Sequence, residues 1–354
     1  MAGISLLGRL AADTALLRQR MEILSRQVSS GRRGALYGDI APDARRAIDL
    51  RADIALRATY QGAITRTLGR TQVAQTVIGQ IESIANQAMA NTLSLPGTDV
   101  RRVAIVAQQA QAALVQVAQL LNARQGGEYI FGGSDSANPP IPDAGGISAS
   151  GMATQIAAAV AGLVPGGAAA VAAATLAAAS SDAPGVTPFS AFLSDPLTGL
   201  TEARRGMPAD DGPRVAFGLF ANRNAAVVSA GQTTGSWARD VLRGLATLAA
   251  LDPAQVTLGQ DFQALVATAR ESLRSGIEAM AQERGLLGAV EQRIEAVRGA
   301  HADISITLKL QLSDIEEIDP AQAISALQAT QIQLQASYQV IASAGSLSLT
   351  QFLR

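Results

Sequence analysis

Cysteine is absent from this 354-residue chain, which excludes disulfides, thiolate nucleophiles and cysteine metal sites while leaving the redox compartment open. Histidine occurs once, at His301, and lysine once, at Lys309. A Ser-His-Asp triad would therefore have to use that single imidazole. Gly127-x-x-x-x-Gly132 has half the outline of a phosphate-binding loop, but Gly133-Ser134 and then prolines follow instead of a lysine and a helix. Aromatic residues make up only 3%, too few to supply the large buried areas of one compact core, so helices packed side by side are expected. Neither sign of charge dominates, with 28 basic and 29 acidic residues, and nothing points to nucleic acid or an anionic membrane.

Long hydrophobic runs are also missing. The Ala-rich stretch 156–179 is cut by Pro165-Gly166-Gly167 into pieces well short of the roughly 20 residues a membrane span needs, so no membrane insertion is expected. Arg9, Asp13, Arg18, Arg20 and Glu22 interrupt the first thirty residues, which do not read as a cleaved signal peptide. Asp314, Glu316, Glu317 and Asp319 are the densest carboxylates. No histidine or second acidic group joins them as ligands, so they read as a solvated helix end before Pro320. No catalytic constellation and no cofactor site emerges.

What the chain does contain is apolar spacing of three and four at both ends. Leu7, Leu10, Thr14, Leu17, Met21, Leu24 and Val28 form one line, ending at Gly31. A second runs from Leu287 through Val290, Ile294, Val297, His301, Ile304, Leu308, Gln311 and Ile315 to Ile318. After Pro320 a third follows through Ile324, Leu327, Gln331, Leu334, Tyr338 and Ile341. This rhythm puts a narrow apolar stripe on each helix, and such a stripe needs a partner helix. His301 falls inside a stripe, where a lone polar residue fixes register more often than it performs chemistry.

The spacing predicts a first helix over 6–29 with a glycine cap at Gly31 and Arg32 and Arg33 beside its negative end. Pro42 is suited to open the next helix, which runs to about residue 95. A turn at Pro96-Gly97-Thr98-Asp99 leads into an antiparallel helix carrying Val103, Ala107, Ala110, Leu114, Val117 and Leu121. Tyr129 and Phe131, between glycine pairs, predict a short strand, and 214–220 another after an Asp211-Gly212 turn. From Trp237 the helices return. The expected fold is mainly α, with N- and C-terminal helices forming a coiled-coil bundle and an inserted α+β outer domain. The expected division is 1–40 with 320–354, 41–133 with 236–319, and 134–235 as the insertion. Gly31, Pro42 and Pro320 are the expected hinges.

Several segments resemble the flagellin superfamily in order and in distance from the termini. Gln27-Val28-Ser29-Ser30-Gly31-Arg32-Arg33 is similar to its "LSSGxR" segment, and Glu128-Tyr129-Ile130-Phe131-Gly132-Gly133 to its "Y-[IL]-F-[SAG]-G" segment. Leu287-Gly288-Ala289 with Gln292-Arg293-Ile294 resembles "LGAxxxRI/L". The Leu334-Gln335-Ala336-Ser337-Tyr338 run and the closing Leu347-Ser348-Leu349-Thr350-Gln351-Phe352-Leu353 look more like the hook–filament junction branch of that superfamily than like filament flagellin, which stays as the alternative. Pro320 departs from the pattern, where a continuing helix is expected.

The resemblance implies a non-enzymatic structural adapter, extracellular in the bacterial flagellum and exported through the flagellar type III channel. Its implied partners are further copies of itself in a ring, a hook-side hook-associated protein, flagellin, and an export chaperone on the C-terminal helix. The implied assembly interface comprises Leu7, Leu10, Leu17, Met21, Leu24 and Val28 with Ile324, Leu327, Leu334, Tyr338, Ile341, Leu347, Leu349 and Phe352. A generic coiled-coil scaffold would need a span or an output domain. An enzyme in the insertion would need polar catalytic groups, and 134–235 holds no His, Cys or Lys.

Overall fold

The structure is a computed structural model that describes residues 2–93, 95, 100–208, 214–225 and 232–352, with side chains described from residue 8 to residue 343 within those ranges. The expected turns at Pro96–Asp99 and Asp211-Gly212 lie outside the described residues, as do the side chains of Leu7, Leu347, Leu349 and Phe352.

Nine helices run through the described chain: α1 (Ala2–Ser30), α2 (Ala44–Thr92), α3 (Val100–Leu121), α4 (Gly151–Ala161), α5 (Ala168–Ser180), α6 (Ala191–Ser194), α7 (Trp237–Ala249), α8 (Gln260–Glu316) and α9 (Pro320–Phe352). Two small antiparallel hairpins complete it, β1 (Arg124–Gln125) with β2 (Glu128–Tyr129), and β3 (Gly206–Met207) with β4 (Val215–Ala216). The class is mainly α, as expected, with little sheet. The predicted strand at Tyr129–Phe131 is only partly strand. Its first residue pairs with Arg124 across a Gly126-Gly127 turn, while Ile130 and Phe131 turn into the core. Of 214–220, Val215 and Ala216 pair with β3, and Phe220 bridges back to Gly132.

The chain forms two compact units, 1–59 with 300–354, and 60–299. The 134–225 stretch has no core of its own: Ile141, Met152, Ile156, Val171, Leu193 and Phe220 share one cluster with residues of α3, α7 and α8. Short helices and two-residue strands cannot bury their apolar faces alone, so they close onto a neighbouring helix.

That neighbour is α7, buried from Trp237 to Leu248. Ser236 caps its start, its hydroxyl accepting from the Arg239 N–H. Phe131 meets the Trp237 ring edge-on at 6.1 Å and 70°. Helix α8 approaches closely at Gly276, where an added Cβ would lie 2.6 Å from Val241 Cγ2 and 3.0 Å from the Trp237 carbonyl oxygen. Apolar α3 is long enough to cross a membrane by length and composition alone. Its face of Val103, Val106, Ala110, Leu114, Val117 and Leu121 is buried in the core instead.

Charges buried on α7 are each held by hydrogen bonds, which offsets the cost of removing them from water. Arg239 Nε donates to the Asn222 carbonyl at 2.7 Å, its Nη1 to the Ala179 carbonyl at 3.0 Å, and its Nη2 to Asp182. Asp240 accepts from the Thr234 N–H at 2.8 Å and hydroxyl at 2.7 Å, and from the Ser275 hydroxyl at 3.0 Å. Burial nevertheless pushes its carboxyl above the usual range, against the pull of those donors.

Arg239→Ala would strip donors from buried carbonyls and from Asp182, and is expected to cost roughly 3–5 kcal/mol. The single tryptophan, Trp237, reports this unit directly in denaturant-induced fluorescence unfolding. Arg274→Ala, which removes only exposed pairs with Glu271 and Glu278 on one helix, is expected to leave that transition unmoved.

Candidate assembly surface

The unit of 1–59 and 300–354 is built on α1 and α9, which run antiparallel: Gly31 lies beside Ile318, and Arg18 beside Tyr338. On α1 the covered line is Leu10, Thr14, Leu17, Met21, Leu24 and Val28, residue for residue the predicted stripe over the described side chains. On α9 the covered line is Ala323, Leu327, Thr330, Leu334, Ser337 and Ile341. Leu327, Leu334 and Ile341 fall on it as predicted. Ile324, Gln331 and Tyr338 do not. They sit one position further round and are exposed.

Both lines on α9 have three–four spacing, so periodicity alone cannot choose between them. Size chooses. Ala323, Thr330 and Ser337 are small and let two helix backbones approach, since interaxial distance depends on the side chains at the contact. The larger Ile324 and Tyr338 are left outside. The same one-residue shift occurs on α8, where Ser305 is buried and Ile304 is exposed.

A second apolar set therefore remains uncovered within this unit. Leu16 is 63% exposed on α1, Ile332 67% on α9 and Leu310 63% on α8. Ile23, Ile48, Leu56, Ile306, Ile324 and Val340 are also exposed. Single exposed apolar residues are ordinary; here several stand on each of three helices of one unit, which makes it the candidate assembly surface. A groove between α1 and α9, lined by Met21, Glu22, Ser25, Arg26, Leu327 and Gln331, holds 440 Å³ of open space beside the seam.

The helix breaks are tied together. Helix α1 ends at Ser30, and Gly31 (φ +71°) returns its N–H to the Gln27 carbonyl at 2.8 Å, the glycine termination the sequence predicts. Helix α8 ends at Glu316, and α9 begins at Pro320. Between these breaks Arg32 and Glu317 form an antiparallel bridge, with Arg33 N–H donating to the Glu316 carbonyl at 2.7 Å and Ile318 N–H to that of Gly31 at 3.1 Å. Arg33 does not face the end of α1; its Nε donates to the Glu317 carbonyl at 3.0 Å. Pro42 does not open α2, which starts at Ala44. Pro42 follows a cis peptide bond in the turn before it, and Asp43 supplies the first helical acceptor, to Ala47 N–H.

The acidic run before Pro320 is engaged structurally. Glu316 accepts two bonds from Arg51, Nε at 2.8 Å and Nη2 at 2.6 Å. Asp319 caps α9 through Ala321 and Gln322 N–H, and Glu317 accepts from the Ser313 hydroxyl at 2.6 Å. Ala47, Leu50 and Ile315 close an apolar cluster beneath this corner, with Ile40, Leu308 and Leu312 at its edge. The Arg51 hydrogen bond, then its charge, holds the Glu316 carboxyl below its usual range. His301 is 2% exposed, and its Nδ1 lies 3.3 Å from Arg57 Nη1. Among the described residues no group of three His, Asp or Glu side chains could hold a metal ion.

The fold is flagellin-like and mainly α. Residues 271–353 match the family model of the bacterial flagellin C-terminal helical region, a span that takes in α9 and most of α8. No curated protein matches the chain. Among solved structures, one from Vibrio parahaemolyticus, provisionally described as a flagellar hook-associated protein, is similar with a TM-score of 0.53 and 10% identity, over 77% of this chain and 97% of that one. At that identity the likeness is one of fold.

Two changes test the corner. Gly31→Ala places a Cβ at positive φ and is expected to destabilise the unit by about 1–2 kcal/mol, read by thermal circular dichroism. Because the folded Glu316 pKa is lowered, its stabilisation is full above the ordinary value of 4.5 and is lost as pH falls through the folded value. Glu316→Gln is therefore expected to lower the melting temperature at pH 7, and the gap to the unsubstituted chain is expected to narrow as pH is lowered below 4.5.

Proposed function

We propose that this chain is a structural subunit of the bacterial flagellum, and within it the adapter that joins hook-side proteins to the flagellin filament. The observation that carries this reading is the set of exposed apolar side chains on α1 and α9, in a unit whose C-terminal helices match the flagellin model. Two helices of 29 and 33 residues from opposite chain ends cover each other on one side, and Leu16, Ile23, Ile324 and Ile332 are exposed on the other among the described residues. Neighbouring subunits would bury the remaining lines, adding roughly 25 cal/mol for each Å² of apolar surface removed from water. Isolated helices of this kind are marginal, so ordering and assembly are coupled.

The interface so proposed is Leu7, Leu10, Leu17, Met21, Leu24 and Val28 with Ile324, Leu327, Leu334, Tyr338, Ile341, Leu347, Leu349 and Phe352. Within it, Ile324 and Tyr338 fit the contact between subunits, and Leu327, Leu334 and Ile341 the contact inside one. Gly31 and Pro320 stand at facing helix breaks and are proposed as the hinge, with Pro42 beside them. The motif likeness at Tyr129–Gly133 and Leu334–Tyr338 favours the junction over the filament. The provisional description of the Vibrio structure as hook-associated lends the same direction. The proposed partners are copies in a ring, a hook-side protein, flagellin and an export chaperone on α9. The site of action is outside the cell, after export through the flagellar channel. No catalytic role is proposed. Filament-forming flagellin is the second reading, favoured by the family model itself.

Immunolabelling of isolated hook–filament structures separates the two. A narrow band at the joint is expected, and labelling along the whole filament would establish the second reading instead. Deleting 324–354 is expected to leave Trp237 fluorescence native while abolishing incorporation at the joint. Incorporation of the truncated chain would overturn the adapter reading.

A further inference from the structure

Among the described residues, those lining a pocket of 320 Å³ on the 60–299 unit carry more positive charge than negative. Among the described residues three guanidiniums line it: Arg66 and Arg70, one turn apart on α2, and Arg205, immediately before β3. The one carboxylate lining it is Glu128 of β2. Arg70 is 7% exposed, and its Nη1 donates to Glu128 Oε2 at 2.9 Å while its Nη2 reaches the Tyr129 carbonyl at 2.5 Å. Arg205 Nη1 donates to the same Oε2 at 2.7 Å. Two guanidiniums thus converge on one carboxylate oxygen. Arg66 makes no hydrogen bond or ion pair among the described residues. Ala63, Met207 and Phe217 line the apolar side of the pocket.

Guanidinium forks match the paired oxygens of carboxylates and phosphates; Arg66 and Arg205 are exposed to an incoming anion, and the buried Arg70 adds positive charge behind them. An apolar wall beside a few convergent polar groups is the usual composition of a small-molecule site. We propose that this pocket binds a small organic oxyanion, a carboxylate or phosphate head on an apolar body, with Arg66 and Arg205 gripping the head and Met207 and Phe217 the body. Burial, and then the neighbouring Arg205 charge, holds the Arg70 guanidinium below its ordinary pKa. A bound anion would relieve that repulsion. This binding is independent of the flagellar role and stands or falls separately from it.

Calorimetric titration of the full chain at constant ionic strength tests it, with phenyl phosphate, 3-phenylpropionate and inorganic phosphate as probes. At least one aromatic anion is expected to bind saturably, at a Kd about tenfold below that of inorganic phosphate. Binding of phenyl phosphate alone would assign a phosphate head, and of 3-phenylpropionate alone a carboxylate head. Arg66→Gln breaks no described contact, so it is expected to keep the parent melting temperature while weakening binding by about fivefold or more. Arg205→Gln is expected to weaken it as well. The proposal is overturned by the absence of saturable binding of both aromatic anions, by equal affinity for inorganic phosphate, or by undiminished affinity in both variants.

Discussion

A helix with apolar residues on two lines cannot be satisfied by one partner helix. The two chain ends depend on that constraint. Helices α1 and α9 cover the line of Leu17, Met21 and Leu24 with Ala323, Leu327 and Leu334, and leave Leu16, Ile23, Ile324 and Ile332 in water. On α9 the small Ala323, Thr330 and Ser337 alternate with Leu327, Leu334 and Ile341 on the covered line, while Ile324 and Tyr338 beside them are exposed. The arrangement makes sense if close backbone approach is used within the chain and apolar area is kept for a neighbour.

The other unit solves a different problem. Its middle segment is rich in Ala and Gly, and its large side chains, among them Ile141, Met152, Ile156 and Phe220, pack into a cluster shared with α3, α7 and α8. Helix α7 lies at the centre of that cluster, buried from Trp237 to Leu248, and its buried Arg239, Asp240 and Arg243 bond to carbonyls and hydroxyls of the surrounding loops and helices. Irregular backbone leaves donors and acceptors unpaired, and fixed side-chain charges at the centre satisfy several at once. The same logic, turned toward the surface, gathers Arg70 and Arg205 on Glu128.

Much of this was legible in the sequence. The α1 stripe, the glycine end at Gly31, the break before Pro320 and the Tyr129 turn were all visible as spacing and turn chemistry, which are local. The phase of the α9 stripe was not, because Ala323 and Ile324 satisfy the same period and only the distance to α1 separates them. The pairing of Arg51 with Glu316 spans 265 positions, and nothing local marks either residue. Arg66 and Arg70, one turn apart, were a possible signal for the basic pocket, but Arg205 and Glu128 reach it only through two hairpins.

By itself the sequence determined the helical class, the glycine end of α1, the break before Pro320 and an apolar stripe on each terminal helix, since periodicity and capping are properties of neighbouring residues. Tertiary structure decided which line each helix buries and which it offers outward. It also decided that the middle segment joins the α7 core, and which distant charges meet. Those choices turn on backbone separation and on desolvation, quantities that exist only once two segments are side by side.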